Sequence, residues 1–162
     1  MRRRLVQNKA LLAIIIGLVG LMMLRPLQHF RFSRDIVPSP KNFTQNISIN
    51  TGSTILKLQV EVADTDEKRM TGLMNRPFLD PNAGMLFIFN EEGDHFFWMK
   101  NTLISLDLLF IDSQKKVIFI AQKTTPLSET TIAPPAPVQY VLEVNAGYAS
   151  KNGVTVGSQI TF

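Results

Sequence analysis

Cysteine is absent from this 162-residue chain, which excludes disulfides, thiolate zinc sites and thiol nucleophiles together. Stability must then come from an apolar core, which a domain of roughly 110 residues can supply. Also missing are a glycine-rich phosphate loop, a Ser-x-x-Lys pair and a His-Glu-x-x-His motif, so the pattern indicates no cofactor. Residues 1–34 contain no acid, although seven arginines and lysines fall there. The rest of the chain carries ten basic residues against thirteen acidic ones, so the pI near 9.6 belongs to the N-terminus and the remainder is mildly acidic. A nucleic-acid partner would want a basic face on the domain itself, and none is indicated.

What the N-terminus does have is a targeting pattern. A basic stretch through Lys9 precedes an apolar run of fifteen residues, 10–24, which Arg25 and Pro26 end. At ~1.5 Å per residue such a helix reaches about 22 Å, short of a ~30 Å hydrocarbon core, and Leu5, Val6 and snorkelling arginines can extend it. A cleavable signal peptide wants small residues at its cleavage site, and the sequence after Leu24, RPLQHFRFSRD, offers none. Residues 1–35 are therefore expected to be an uncleaved signal anchor, a single membrane pass with the folded domain on the extracytoplasmic side. Secretion after cleavage is the alternative. Residues 36–52, polar with two prolines, are expected to be a flexible tether, and 53–162 a single exported domain.

Within that domain Leu56, Leu58, Val60 and Val62 alternate with polar residues, the period of a half-buried strand. Asp64 and Glu67 stand at a capping-box spacing, predicting a helix through about Met70 that Gly72 ends. Strands are expected at 85–89, 95–99, 103–111, 116–121, 140–144 and 158–162, with a proline-rich loop over 123–137. Many short strands and one short helix predict a mainly β, antiparallel sandwich or barrel-like domain.

The motifs Arg69-x-x-Gly72-Leu73-Met74-x-Arg76, Gly84-Met85-Leu86-Phe87-x-Phe89, Phe97-Trp98-Met99-Lys100-Asn101-Thr102, Leu106-Asp107 and Tyr140-Val141-Leu142-Glu143-Val144-x-Ala146-Gly147 closely resemble the signature of the family called domain of unknown function 192. The resemblance runs from about Val60 to Phe162. It implies a compact β-rich fold of sandwich type with a short helix, in proteins that are often exported, and it implies no activity. Ser105 stands where the family commonly has a proline. The cysteine that members often carry before the Tyr-Val-Leu-Glu strand is missing here, which argues against a thiol-dependent role.

Asp107 is the first candidate for chemistry. Along 103–111 it shares a face with Leu103, Ser105, Leu109 and Ile111, and the other face is apolar too, so it is expected to be buried or at a cleft floor. Lys100, Arg69 and Arg76 are the cations available to it, in a structural ion pair or a functional site. Trp98 followed by Lys100, Asn101 and Thr102 offers a ring and several donors for a polar small molecule, or else a plain turn. Arg69 and Arg76 could lock onto Asp107 or Glu143, or together hold an anion. Asp107 and Glu143 as a carboxylate pair would suit a hydrolase, at a separation sequence does not set. His95 beside Asp94, Glu91 and Glu92 is a weak cation site or an exposed turn. Met70, Met74 and Met85 suit irregular gaps in a core.

The expected function is a membrane-tethered binding module for a small polar or anionic ligand, a carbohydrate or cell-envelope component. Its expected ligand residues are Arg69, Arg76, Trp98, Lys100, Asn101, Asp107 and Glu143. Two alternatives stay open: a hydrolase using Asp107 and Glu143, and a structural or partner-binding domain without a small-molecule site.

Overall fold

The computed structural model describes residues 45–162. In chain order the elements are β1 (Gln45–Asn50), β2 (Ile55–Ala63), α1 (Asp66–Thr71), β3 (Ala83–Gly93), β4 (Leu106–Ile111), β5 (Val117–Ala121), β6 (Val138–Asn145), α2 (Tyr148–Asn152) and β7 (Gln159–Thr161). All seven strands join one sheet in the order β5-β4-β6-β3-β2-β1-β7. Every neighbouring pair is antiparallel except β2 and β3, which α1 connects as a parallel crossover.

The sheet is mainly β and curled like half a barrel. Its two edges touch at one place, where the Val117 amide donates to the Ser158 carbonyl at 2.9 Å and the Ile160 amide to the Lys115 carbonyl at 2.9 Å. Of the two expected forms, sandwich or barrel-like domain, the single curled sheet lies nearer the barrel-like one. There are two short helices where one was expected, because 148–152 makes a full turn between Gly147 and Gly153, both at positive φ. The expected anchor, 10–24, and most of the tether lie outside the described residues. Among the described residues no helix is long and apolar enough to cross a membrane.

Curling gives the sheet two buried faces, so the strands read as nearly continuous apolar runs. The concave face gathers Ile47, Ile49, Leu58, Val60, Leu86, Leu109, Leu142 and Val144 around Tyr148 and Ala149 of α2. The other face gathers Met85, Phe87, Leu106, Leu108, Phe110 and Val141 under Leu73, Leu79 and Met99, which come from loops. All six residues of β4 are buried in consequence.

Several expected boundaries move. Gln45–Asn50 belongs to the sheet rather than the tether, since Ile47 and Ile49 fill the concave core and the strand pairs with both β2 and β7. Residues 95–99 form no regular strand. Phe97 alone bridges, to Ile132, although the alternation holds, with Met99 buried and Phe96 and Trp98 exposed. β4 begins at Leu106, because Leu103 is exposed and 103–105 carry no ladder. The cap of α1 is Thr65, whose hydroxyl accepts from the Lys68 amide at 3.3 Å. Asp64 instead pairs with Lys68 at 2.6 Å.

Candidate functional site

Strand register places Glu61, Met85, Glu143 and Leu108 in one row across β2, β3, β6 and β4. Two carboxylates therefore lie on one apolar face with a methionine between them, and they fare differently. Glu61, buried, is gripped by both arms of the Arg76 guanidinium, Nη1 to Oε1 and Nη2 to Oε2, the latter at 2.8 Å. That bond pushes the Arg76 pKa up.

Glu143 has no such answer. It is 5% exposed, and its Oε2 is buried without a hydrogen-bond partner among the described residues. Desolvation pushes its pKa up to about 8, and the charge of Arg76 opposes this only in part. Near neutral pH its acid form predominates, a donor as well as an acceptor.

A cleft of about 1020 Å³ opens beside Glu143. One wall is α1 and the chain after it. Arg69 is held there by Asp66 at 2.7 Å and by the Ile88 carbonyl at 2.6 Å, with its guanidinium 5.3 Å from the centre of the Phe89 ring. Gly72, at φ 48°, then turns the chain over the sheet; a Cβ there would come within 3.3 Å of Phe87. The other wall is 94–102. Phe97 is anchored edge-on against Phe87 and Phe110, at centroid distances of 5.0 and 5.7 Å. Trp98 stays 48% exposed, with Lys100 Nζ 4.9 Å from its ring centre. The walls are tied together where the Asn75 amide donates to the Asn101 carbonyl at 2.8 Å.

Residues 47–162, most of the chain, match the family DUF192, described as Uncharacterized ACR. The chain belongs to that family. Two solved structures are similar to the DUF192 domain of this chain. One is a Sinorhizobium meliloti 1021 protein described provisionally as a transcription regulator, 39% identical, with a TM-score of 0.70 over 72% of this chain and 91% of that one. The other is a Novosphingobium aromaticivorans DSM 12444 protein of unknown function, 32% identical, with a TM-score of 0.71 over 72% of this chain and 84% of that one. No curated protein matches.

Of the residues singled out from sequence, the DUF192 cleft brings together Arg69, Trp98, Lys100, Asn101 and Glu143. Arg76 does not line it. Each arginine has its own carboxylate, so the two form no joint anion site. Asp107 lies elsewhere, on the concave side of the sheet, fully buried. Among the described residues no cation pairs with it; it accepts from the backbone amides of Lys123 at 2.8 Å, Gly147 at 3.0 Å and Ala149 at 3.0 Å. It thereby caps α2 from a neighbouring strand, since Gly147 has no side chain to do so. Asp107 and Glu143 thus face opposite sides of the sheet and cannot flank one substrate. His95 stacks on Phe89 with centroids 3.5 Å apart, and among the described residues no cluster of three metal-binding side chains exists. Sequence reading passed over Glu61, because period-two alternation put it on a polar face, and over Asn75, which stands in a loop.

Proposed function

We propose that this DUF192 domain is held outside the cytoplasm by a membrane anchor at 10–24 and binds a small polar ligand in the cleft beside Glu143. One observation carries the binding reading: a buried carboxyl oxygen without a partner at a cleft. Buried polar atoms are nearly always satisfied, and a ligand group would supply what the chain withholds. The surrounding aromatic walls suit a small molecule with an apolar face and a few polar groups.

The fragment 41–162 serves for the test. The Sinorhizobium protein, 91% of whose length this match covers, was crystallised with little beyond the domain. Thermal unfolding against cell-envelope sugars and small metabolites should show at least one stabilising compound. At a hundredfold excess over Kd the gain is about 2.7 kcal/mol. Glu143→Leu, which keeps bulk and removes the carboxyl, should abolish that gain. If no compound stabilises the fragment and Glu143→Leu merely raises its stability, the cleft is a structural feature and the reading fails. A mature N-terminus beyond Leu24 would overturn the anchor.

A further inference from the structure

Every cation at the cleft already has a partner within the chain. Arg69 is held by Asp66, a carbonyl and a ring, while Lys100 lies over Trp98 and 4.0 Å from Glu129. An anion entering there would compete with these partners for Arg69 and Lys100, and it would meet the carboxylates of Asp66 and Asp94.

The polar groups left unused are of another kind. Asn75 and Asn101, both exposed, line the same cleft as Glu143, and their carboxamides make no hydrogen bond within the described residues. Both asparagines adopt left-handed backbone, at φ 60° and 54°, and their backbones are joined to each other. Asparagine, after glycine, tolerates such a backbone best, so the conformation accounts for the residue type while leaving the carboxamides themselves unused. A carboxamide both donates and accepts, as an undissociated carboxyl does, and so matches a hydroxyl, which also does both. Trp98 and Phe96, 48% and 64% exposed, add flat apolar surface.

We infer that the cleft takes a neutral hydroxylated ring, a saccharide unit, with Glu143, Asn75 and Asn101 meeting its hydroxyls and Trp98 its apolar face. This deepens the binding reading above and rests on it. A covering ligand further desolvates Glu143 and disfavours its ionised form, so affinity falls as pH rises through about 8. The charges around that carboxyl are Arg76 with Glu61 in its own row, and Arg69 with Asp66, Lys100, Asp94 and His95 on the cleft walls.

Trp98 is the sole tryptophan of the chain and reports directly on the cleft. Its emission in fragment 41–162 should be titrated with glucose, N-acetylglucosamine, cellobiose and chitobiose, and in parallel with phosphate and citrate. At least one saccharide should shift the emission saturably, and neither anion should. Asn75→Gly and Asn101→Gly should each weaken that binding by roughly three- to tenfold, one lost hydrogen bond apiece. Their melting temperature should stay level or rise, since glycine accepts the backbone. Glu143→Gln should bind equally from about pH 6 to about pH 9, while the wild type weakens over that range. Binding of citrate or phosphate with saccharides silent overturns this inference and leaves a binding cleft standing. Saccharide binding that both glycine variants retain overturns the recognition set. Silence from these saccharides overturns the inference whatever else binds, and the binding reading falls with it only if the wider compound screen is silent too.

Discussion

Glu61 and Glu143 are the same side chain on the same face, two strands apart, and only one has an arginine closing on it. For Glu143 the folded pKa of about 8 lies above its ordinary 4.5, so folding favours the protonated form. That contribution is fully present below pH 4.5 and is lost as pH rises through about 8. Urea midpoints of the wild type should therefore fall across this window relative to Glu143→Gln, with a difference of at least about 1–3 kcal/mol above it. Parallel profiles for the two proteins would refute the assignment. Asp107 has the opposite character, a carboxylate satisfied three times over. Asp107→Ala strands three buried amides and should cost about 3–5 kcal/mol, with Asp107→Asn, which keeps one acceptor, losing less. Neither variant should alter ligand binding at matched stability, because Asp107 sits on the far side of the sheet. That burial was legible in sequence, from the apolar residues on either side of Asp107. The partners were not, since two of the three amides belong to a turn about forty residues on.

Among the elements, β3 and β6 carry the site, and they approach closely at Gly84. A Cβ there would stand 2.7 Å from the Glu143 carbonyl oxygen, an atom fixed by the ladder. Gly84→Ala should force the strands apart, cost about 1–3 kcal/mol, and displace Glu143 enough to change its titration. Denaturant midpoints and the pH profile of the variant check both. How legible each element was depended on its neighbours. β2 and β6 stood out because alternation survives wherever one face is less apolar. β1 was hidden because Gln45, Asn46, Ser48 and Asn50 outnumber the two isoleucines that enter the core. Residues 95–99 looked like a strand because aromatic residues alternate in and out there, yet among the described residues their one bridge is Phe97 with Ile132, outside any strand. The Arg76–Glu61 grip depends on the parallel register of β2 with β3, a long-range fact that spacing along the chain does not contain.

At the scale of the molecule, the curled sheet depends on its first strand. A fragment beginning at residue 41 keeps β1 and should unfold in one cooperative transition. A fragment beginning at 52 loses Ile47 and Ile49 from the concave core, bares one edge of β2 and takes from β7 its ladder partner. Truncating even one such buried side chain costs about 2–5 kcal/mol, so the shorter fragment should show no cooperative melt by circular dichroism. The same placement makes β1 and β7, the first and last described strands, neighbours in one antiparallel ladder of three pairs, Ser48 with Thr161, Ile49 with Ile160 and Asn50 with Gln159. Gln45 and Phe162 therefore leave that ladder at the same end. Ladder bonds run across the strands, so tension applied between these two residues loads the pairs singly, Ser48–Thr161 first. Under mechanical pull the domain should open like a zipper from this seam, at lower force than a sheet whose terminal strands must slide past each other.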